Sequence, residues 1–151
     1  MRRLLIATTL CAGTSIGSAC LAAEAPVLEP GQYEVTVRLE LPHLENATSA
    51  RLARICVTGG TGSAHGLAVL SDNNPLARCP AGNLREDGGT LSFDIVCPGG
   101  NAAIGSAKFT IRAQSFEGAI AMKMGGKNMT MTERQSGRRV GDCNHAVLPP
   151  S

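Results

Sequence analysis

From Gly31 onward, apolar and polar residues alternate one by one in several separate stretches of the chain. Tyr33, Val35, Val37, Leu39 and Leu41 alternate with Glu34, Thr36, Arg38 and Glu40; Leu91, Phe93, Ile95 and Cys97 alternate with Ser92 and Asp94. The same pattern runs through Ala107, Phe109, Ile111 and Ala113, and again through Phe116, Gly118, Ile120, Met122 and Met124. A period of two is the repeat of a strand with one buried face and one wet face. The turns test the register. A two-residue turn at Gln114-Ser115 pairs Phe109 with Ile120 and Ala107 with Met122, and one at Gly125-Gly126 pairs Met122 with Met129 and Ile120 with Met131. All these apolar residues then share a face, which a one-residue slip would prevent. The expectation is an antiparallel meander with all four aromatics, Tyr33, Phe93, Phe109 and Phe116, on its inner side.

The middle of the chain is less regular. Residues 50–57 read as a short strand ending at Cys56, and 58–77 read as a Gly-, Asn- and Ser-rich loop around Leu67-Ala68-Val69-Leu70, with room for one short helix. A sheet with one apolar face needs a cover. The pattern therefore predicts a mostly β fold of about six to seven strands, either curled into an open barrel or covered on one face by this segment.

Residues 1–23 carry a different signal. Arg2 and Arg3 precede an acid-free, small and apolar stretch from Leu4 to Ala23, the order of a secretory signal peptide. The stretch approaches the about 20 residues of a membrane span, but its Thr, Ser and Gly suit a cleaved leader better. A lipoprotein would need Cys20 as its acylated first residue, with an aliphatic side chain where Gly17 stands. Excision leaves one domain, 24–151, in a periplasmic or secreted location. It also removes the +2 net charge of the full chain, because both surplus cations are Arg2 and Arg3. A neutral domain with four aromatics lacks the basic footprint and stacking surface that nucleic acid requires.

Excision also takes Cys11 and Cys20, leaving four of six cysteines. An even number in an exported chain argues for disulfides, and the absence of a CxxC knuckle argues against structural zinc. Glu86-Asp87-Gly88-Gly89-Thr90 marks a hairpin turn between Cys79 and Cys97. Gly88 is the midpoint of 79 and 97, so a three-residue Asp87-Gly88-Gly89 loop sets the two cysteines opposite each other. Cys79–Cys97 is therefore expected, with Cys56–Cys143 closing a long loop worth about 4 kcal/mol in the chain-entropy model.

Several of these motifs occur together. The opening Glu29-Pro30-Gly31-Gln32-Tyr33-Glu34-Val35-Thr36, the Cys-hairpin-Cys unit, Phe116-Glu117-Gly118, Met129-Thr130-Met131 and the closing Ser136-Gly137-Arg138-Arg139-Val140-Gly141-Asp142-Cys143 resemble the DUF 3617 family over about residues 29–143. The resemblance implies an exported bacterial domain of unknown function and supplies no catalytic residues.

Chemistry-bearing residues are sparse. His43, His65 and His145 stand in no nucleophile context, Ser63 lacks the glycine of a nucleophile elbow, and the Gly-rich 59–66 stretch lacks the Lys-Ser/Thr of a phosphate loop. No catalytic residue and no cofactor is assigned, and the chain is expected not to be an enzyme. Met122, Met124, Met129 and Met131 flank one turn, and thioethers suit Cu(I); copper handling would require Met122 and Met124 to be reachable from solvent. The competing role for these methionines is to fill gaps in an aromatic-poor core. Arg134, Arg138 and Arg139 form a C-terminal basic group that could meet an anionic surface. The function expected from these residues is a non-enzymatic binding or interaction module, taking an envelope protein or a small apolar ligand, with periplasmic Cu(I) binding as the alternative.

Overall fold

A computed structural model describes residues 28–42, 49–58, 64–99, 102–124 and 129–143. They form seven antiparallel strands in one unclosed sheet: β1 (Gly31–Glu40), β2 (Arg51–Val57), β3 (Ala81–Asp87), β4 (Thr90–Val96), β5 (Ile104–Arg112), β6 (Ser115–Lys123) and β7 (Thr130–Gly141). No helix occurs among the described residues. The expected leader, together with Cys11, Cys20, His43, Ser63 and His145, lies outside them.

The strand order is β2-β1-β7-β6-β5-β4-β3. Strands β3 to β7 are a meander, but β1 is inserted between β2 and β7, so the chain must pass from one sheet edge to the other between β2 and β3. The described part of that passage, residues 64–80, is a strap that lies across one face of the sheet. It advances by short turns, in which the Leu67 amide donates to the Ala64 carbonyl at 2.7 Å and the Asn74 amide to the Ser71 carbonyl at 2.9 Å. Leu67 and Leu76 enter the core at 1% exposure. Of the two covers the sequence leaves open, the strap is the one used.

Faces agree with the alternation, whereas registers differ from it by two residues. The β5–β6 turn is Ala113-Gln114, so Phe109 faces Gly118 and Ala107 faces Ile120. In β6–β7, Met122 faces Met131 and Ile120 faces Glu133. An even slip leaves every side chain on its original side of the sheet, which is why the four aromatics are still buried. Phe109 stands between Phe93, stacked at 6.0 Å, and Phe116, edge-on at 5.9 Å; Tyr33 meets Phe116 at 5.9 Å.

The β3–β4 hairpin also turns differently. Asp87 pairs with Thr90 around Gly88 and Gly89, at φ +53° and +78°, a two-residue turn rather than a three-residue one. Alone it would offset Cys79 from Cys97 by one position. A bulge between Gly82 and Arg85, with Asn83 at φ +52°, restores the register, and the Cys79–Cys97 disulfide forms across a Cα separation of 4.8 Å. Cys56 and Gly141 both lie beside Gln32 at the start of β1, one on each side, so Cys56–Cys143 joins the two strands that flank β1.

Candidate functional site

On the covered face, Leu67 and Leu76 of the strap pack with the aromatic cluster into one buried core. A buried carboxylate is held from within: the fully buried Glu133 carboxylate accepts from the Leu70 amide at 2.7 Å, the Ser71 amide at 3.3 Å, Asn74 Nδ2 at 3.1 Å and Gln135 Nε2 at 2.8 Å. His65 of the strap is also buried and sits with Nε2 3.4 Å from Glu86 Oε2. The apolar face that the alternation predicts is thus covered by the protein's own chain.

The other face is open, and period two dictates what stands on it. Register across the central strands sorts its side chains into rows. One row runs Arg38 (β1), Arg134 (β7), Ala119 (β6), Lys108 (β5). The next, two residues along, runs Thr36, Ser136, Glu117, Thr110; on the other side lies Glu40, Thr132, Ala121, Ser106. Long side chains therefore stand around a floor of methyl and hydroxyl groups. The relief is a groove of about 640 Å³ over Ala119, walled by Arg38, Lys108, Arg134, Glu40 and Glu117. A second groove of about 530 Å³ continues over Ala121 towards the paired, exposed Ile104 and Val96. Volumes of this order are those of small-molecule sites.

Electrostatics single out the first groove. Arg38 directly faces Arg134, a like-charge pairing that costs stability unless a counter-ion intervenes. Glu40 supplies part of that charge by accepting from Arg134 Nε at 2.7 Å, and Glu117 is engaged by Arg112 at 3.4 Å. Arg38 and Lys108 make no side-chain hydrogen bond or ion pair among the described residues. The groove thus carries three cations against two carboxylates.

The C-terminal basic trio is divided. Arg134 borders this groove, Arg138 pairs with Glu34 at 2.9 Å, and Arg139 turns back to donate from Nε to the Pro30 carbonyl at 2.9 Å and to bond Asp142. The methionines form two cross-strand pairs: Met122 faces Met131, and the Met124 amide donates to the Met129 carbonyl at 2.9 Å. Met122 is only 3% exposed and Met129 is half exposed, while Met124 and Met131 pack against the core. Among the described residues, no group of three or more His, Cys, Asp or Glu is placed to hold a metal.

Arg38 and Lys108 carry no local joint signal in the sequence, because they lie 70 residues apart on strands that are linked only through β7 and β6. Their shared parity with Arg134 was the available sign. The model of the family described as protein of unknown function (DUF3617) matches residues 28–143. No curated protein and no solved structure matches.

Proposed function

The chain belongs to the DUF3617 family, whose function is unknown, and from that premise we propose that it is an exported, non-enzymatic binding module whose ligand surface is the open face of the sheet. The observation that carries this reading is the asymmetry of the two faces. One is filled by the strap, and the other bears two adjoining grooves floored by Ala119 and Ala121. Export is supported by the two disulfides, Cys56–Cys143 and Cys79–Cys97, which persist in oxidising compartments. No helix of the described residues is long and apolar enough to cross a membrane.

Native mass spectrometry of protein recovered from an oxidising periplasm tests this. A retained small molecule is expected, and Ala119→Trp, which plugs the groove from its floor without entering the core, should abolish it. No retained mass, or a mass retained equally by Ala119→Trp, contradicts the reading.

A second reading, Cu(I) binding, is favoured by the two cross-strand methionine pairs and opposed by the burial of Met122. Met122→Leu with Met124→Leu should then lower Cu(I) affinity by tenfold or more. An unchanged affinity removes it.

A further inference from the structure

The two grooves share β6 as a floor, and their chemistry changes along it. Ala119 lies in the cation row, and Ala121, two residues on, opens the second groove. The Lys123 row beyond holds Ile104 and Val96, which face each other and are 51% and 54% exposed. From Ala119 to the Lys123 row is four residues, about 13 Å of strand at about 3.3 Å per residue. An elongated ligand lying there would have one end among Arg38, Arg134 and Lys108 and the other on exposed aliphatic carbon.

We propose that the open face binds an amphiphile with a phosphate head, the head held in the Arg38–Arg134–Lys108 row and the acyl or alkyl chain laid over Ala121 towards Ile104 and Val96. This rests on the reading of the open face as the ligand surface and adds the ligand's class. The head is anionic because Arg38 and Lys108 lack partners among the described residues and Arg38 opposes Arg134. Phosphate suits the row because its several oxygens can accept from cations on both sides of the Ala119 gap at once. The hydroxyls of Thr36, Ser136 and Thr110 stand in the adjoining row and can donate to the same oxygens. Glu40 and Glu117 at the rim neutralise part of the charge, which disfavours long polyanions and leaves room for a single head. The apolar continuation disfavours inorganic phosphate alone, since exposed Ile104 and Val96 gain only from covering carbon.

The test is a set of equilibrium titrations of the disulfide-bonded protein, with amphiphiles kept below their critical micelle concentrations. The probes are dodecyl phosphate, dodecyl maltoside and inorganic phosphate. Dodecyl phosphate should bind at least tenfold more tightly than either of the others. Lys108→Gln should lower its affinity about tenfold or more and leave dodecyl maltoside unchanged, whereas Ile104→Ser should weaken dodecyl phosphate and leave inorganic phosphate unchanged. Arg78→Gln, which removes an equal charge from the strap away from this face, should have no effect beyond twofold. Equal affinity for the phosphate and maltoside amphiphiles, or equal losses in Lys108→Gln and Arg78→Gln, overturns the phosphate head. Equal affinity for dodecyl phosphate and inorganic phosphate overturns the chain site. In either case, a periplasmic ligand still displaced by Ala119→Trp would leave the open-face reading standing with a ligand of another class.

Discussion

The Leu70 amide and the Glu133 carboxylate, 63 residues apart, meet at 2.7 Å beneath the strap. That carboxylate also takes Ser71, Asn74 and Gln135 as donors, while Asn74 turns its own oxygen to the Leu76 amide at 3.0 Å. All of Glu133's partners donate, which matches an acceptor-only group. Removing the carboxylate takes the acceptor from the Leu70 and Ser71 amides and from Asn74 Nδ2, while Gln135 Nε2 keeps the Ala68 carbonyl at 2.7 Å. Glu133→Ala should cost about 4 kcal/mol, and Glu133→Gln about 2 kcal/mol, because its NH₂ is aimed at donors. Urea unfolding measures the cost, and limited proteolysis should find residues 64–78 newly cut.

Gly118 faces Phe109, and a Cβ there would come within 2.7 Å of the Phe109 Cα and 2.5 Å of its ring. The glycine gives that ring its place between Phe93 and Phe116. Gly118→Ala should therefore destabilise by about 1–3 kcal/mol through overpacking, despite the better strand propensity of alanine. Thermal unfolding should show the loss, and Phe109→Leu should recover part of it.

Tyr33 is the only tyrosine of a chain without tryptophan, so absorbance near 295 nm reports it alone. Its hydroxyl donates to the Glu29 carbonyl at 2.8 Å, with the Ala113 carbonyl at 3.3 Å. Burial raises its pKa above 10.0, Arg139 lowers it and Glu29 raises it. A raised value means the folded state holds the proton more tightly, so this contribution is full below pH 10 and lost as pH climbs through the folded value. The folded protein should titrate above 10.0 and the urea-unfolded chain near it. A folded midpoint at or below the unfolded one contradicts the buried hydroxyl.

Cys56 and Cys143 are separated by 87 residues and Cys79 and Cys97 by 18. Chain entropy assigns about 4–5 kcal/mol to the longer loop and about 3 to the shorter. Replacing Cys56 and Cys143 by serine should lower stability more than the same change at Cys79 and Cys97, as measured by denaturant midpoints.

These particulars separate what the sequence exposes from what it hides. Alternation assigned Tyr33, Phe93, Phe109 and Phe116 to one side correctly, because a face depends only on parity. Register depends on where a turn sits, and Ala113-Gln114 carries no turn signature, so the sequence alone pairs Phe109 with Ile120 where the structure pairs it with Gly118. The Cys79–Cys97 pairing was legible even though its turn was misread, since the bulge at Asn83 cancelled the offset of the shorter turn. The insertion of β1 between β2 and β7 left no local mark. Neither did the burial of Glu133, a carboxylate whose only clue was its parity with Met131 and Gln135. The cation row became visible only once strand order brought Arg38 and Lys108 to the same face as Arg134.

The central claim is that ligand meets the open face and not the strap-covered one, and methyl groups report this directly because they point to one side of the sheet. In a methyl-labelled, disulfide-bonded sample titrated with dodecyl phosphate, the methyl signals of Ala119, Ala121, Ile104 and Val96 should shift together and saturate. Those of Leu67, Leu76, Val35 and Ile111 should stay in place. Shifts that begin at Leu67 and Leu76 and leave Ala119 and Ala121 unmoved would mean that the strap opens to admit ligand, and would contradict the account.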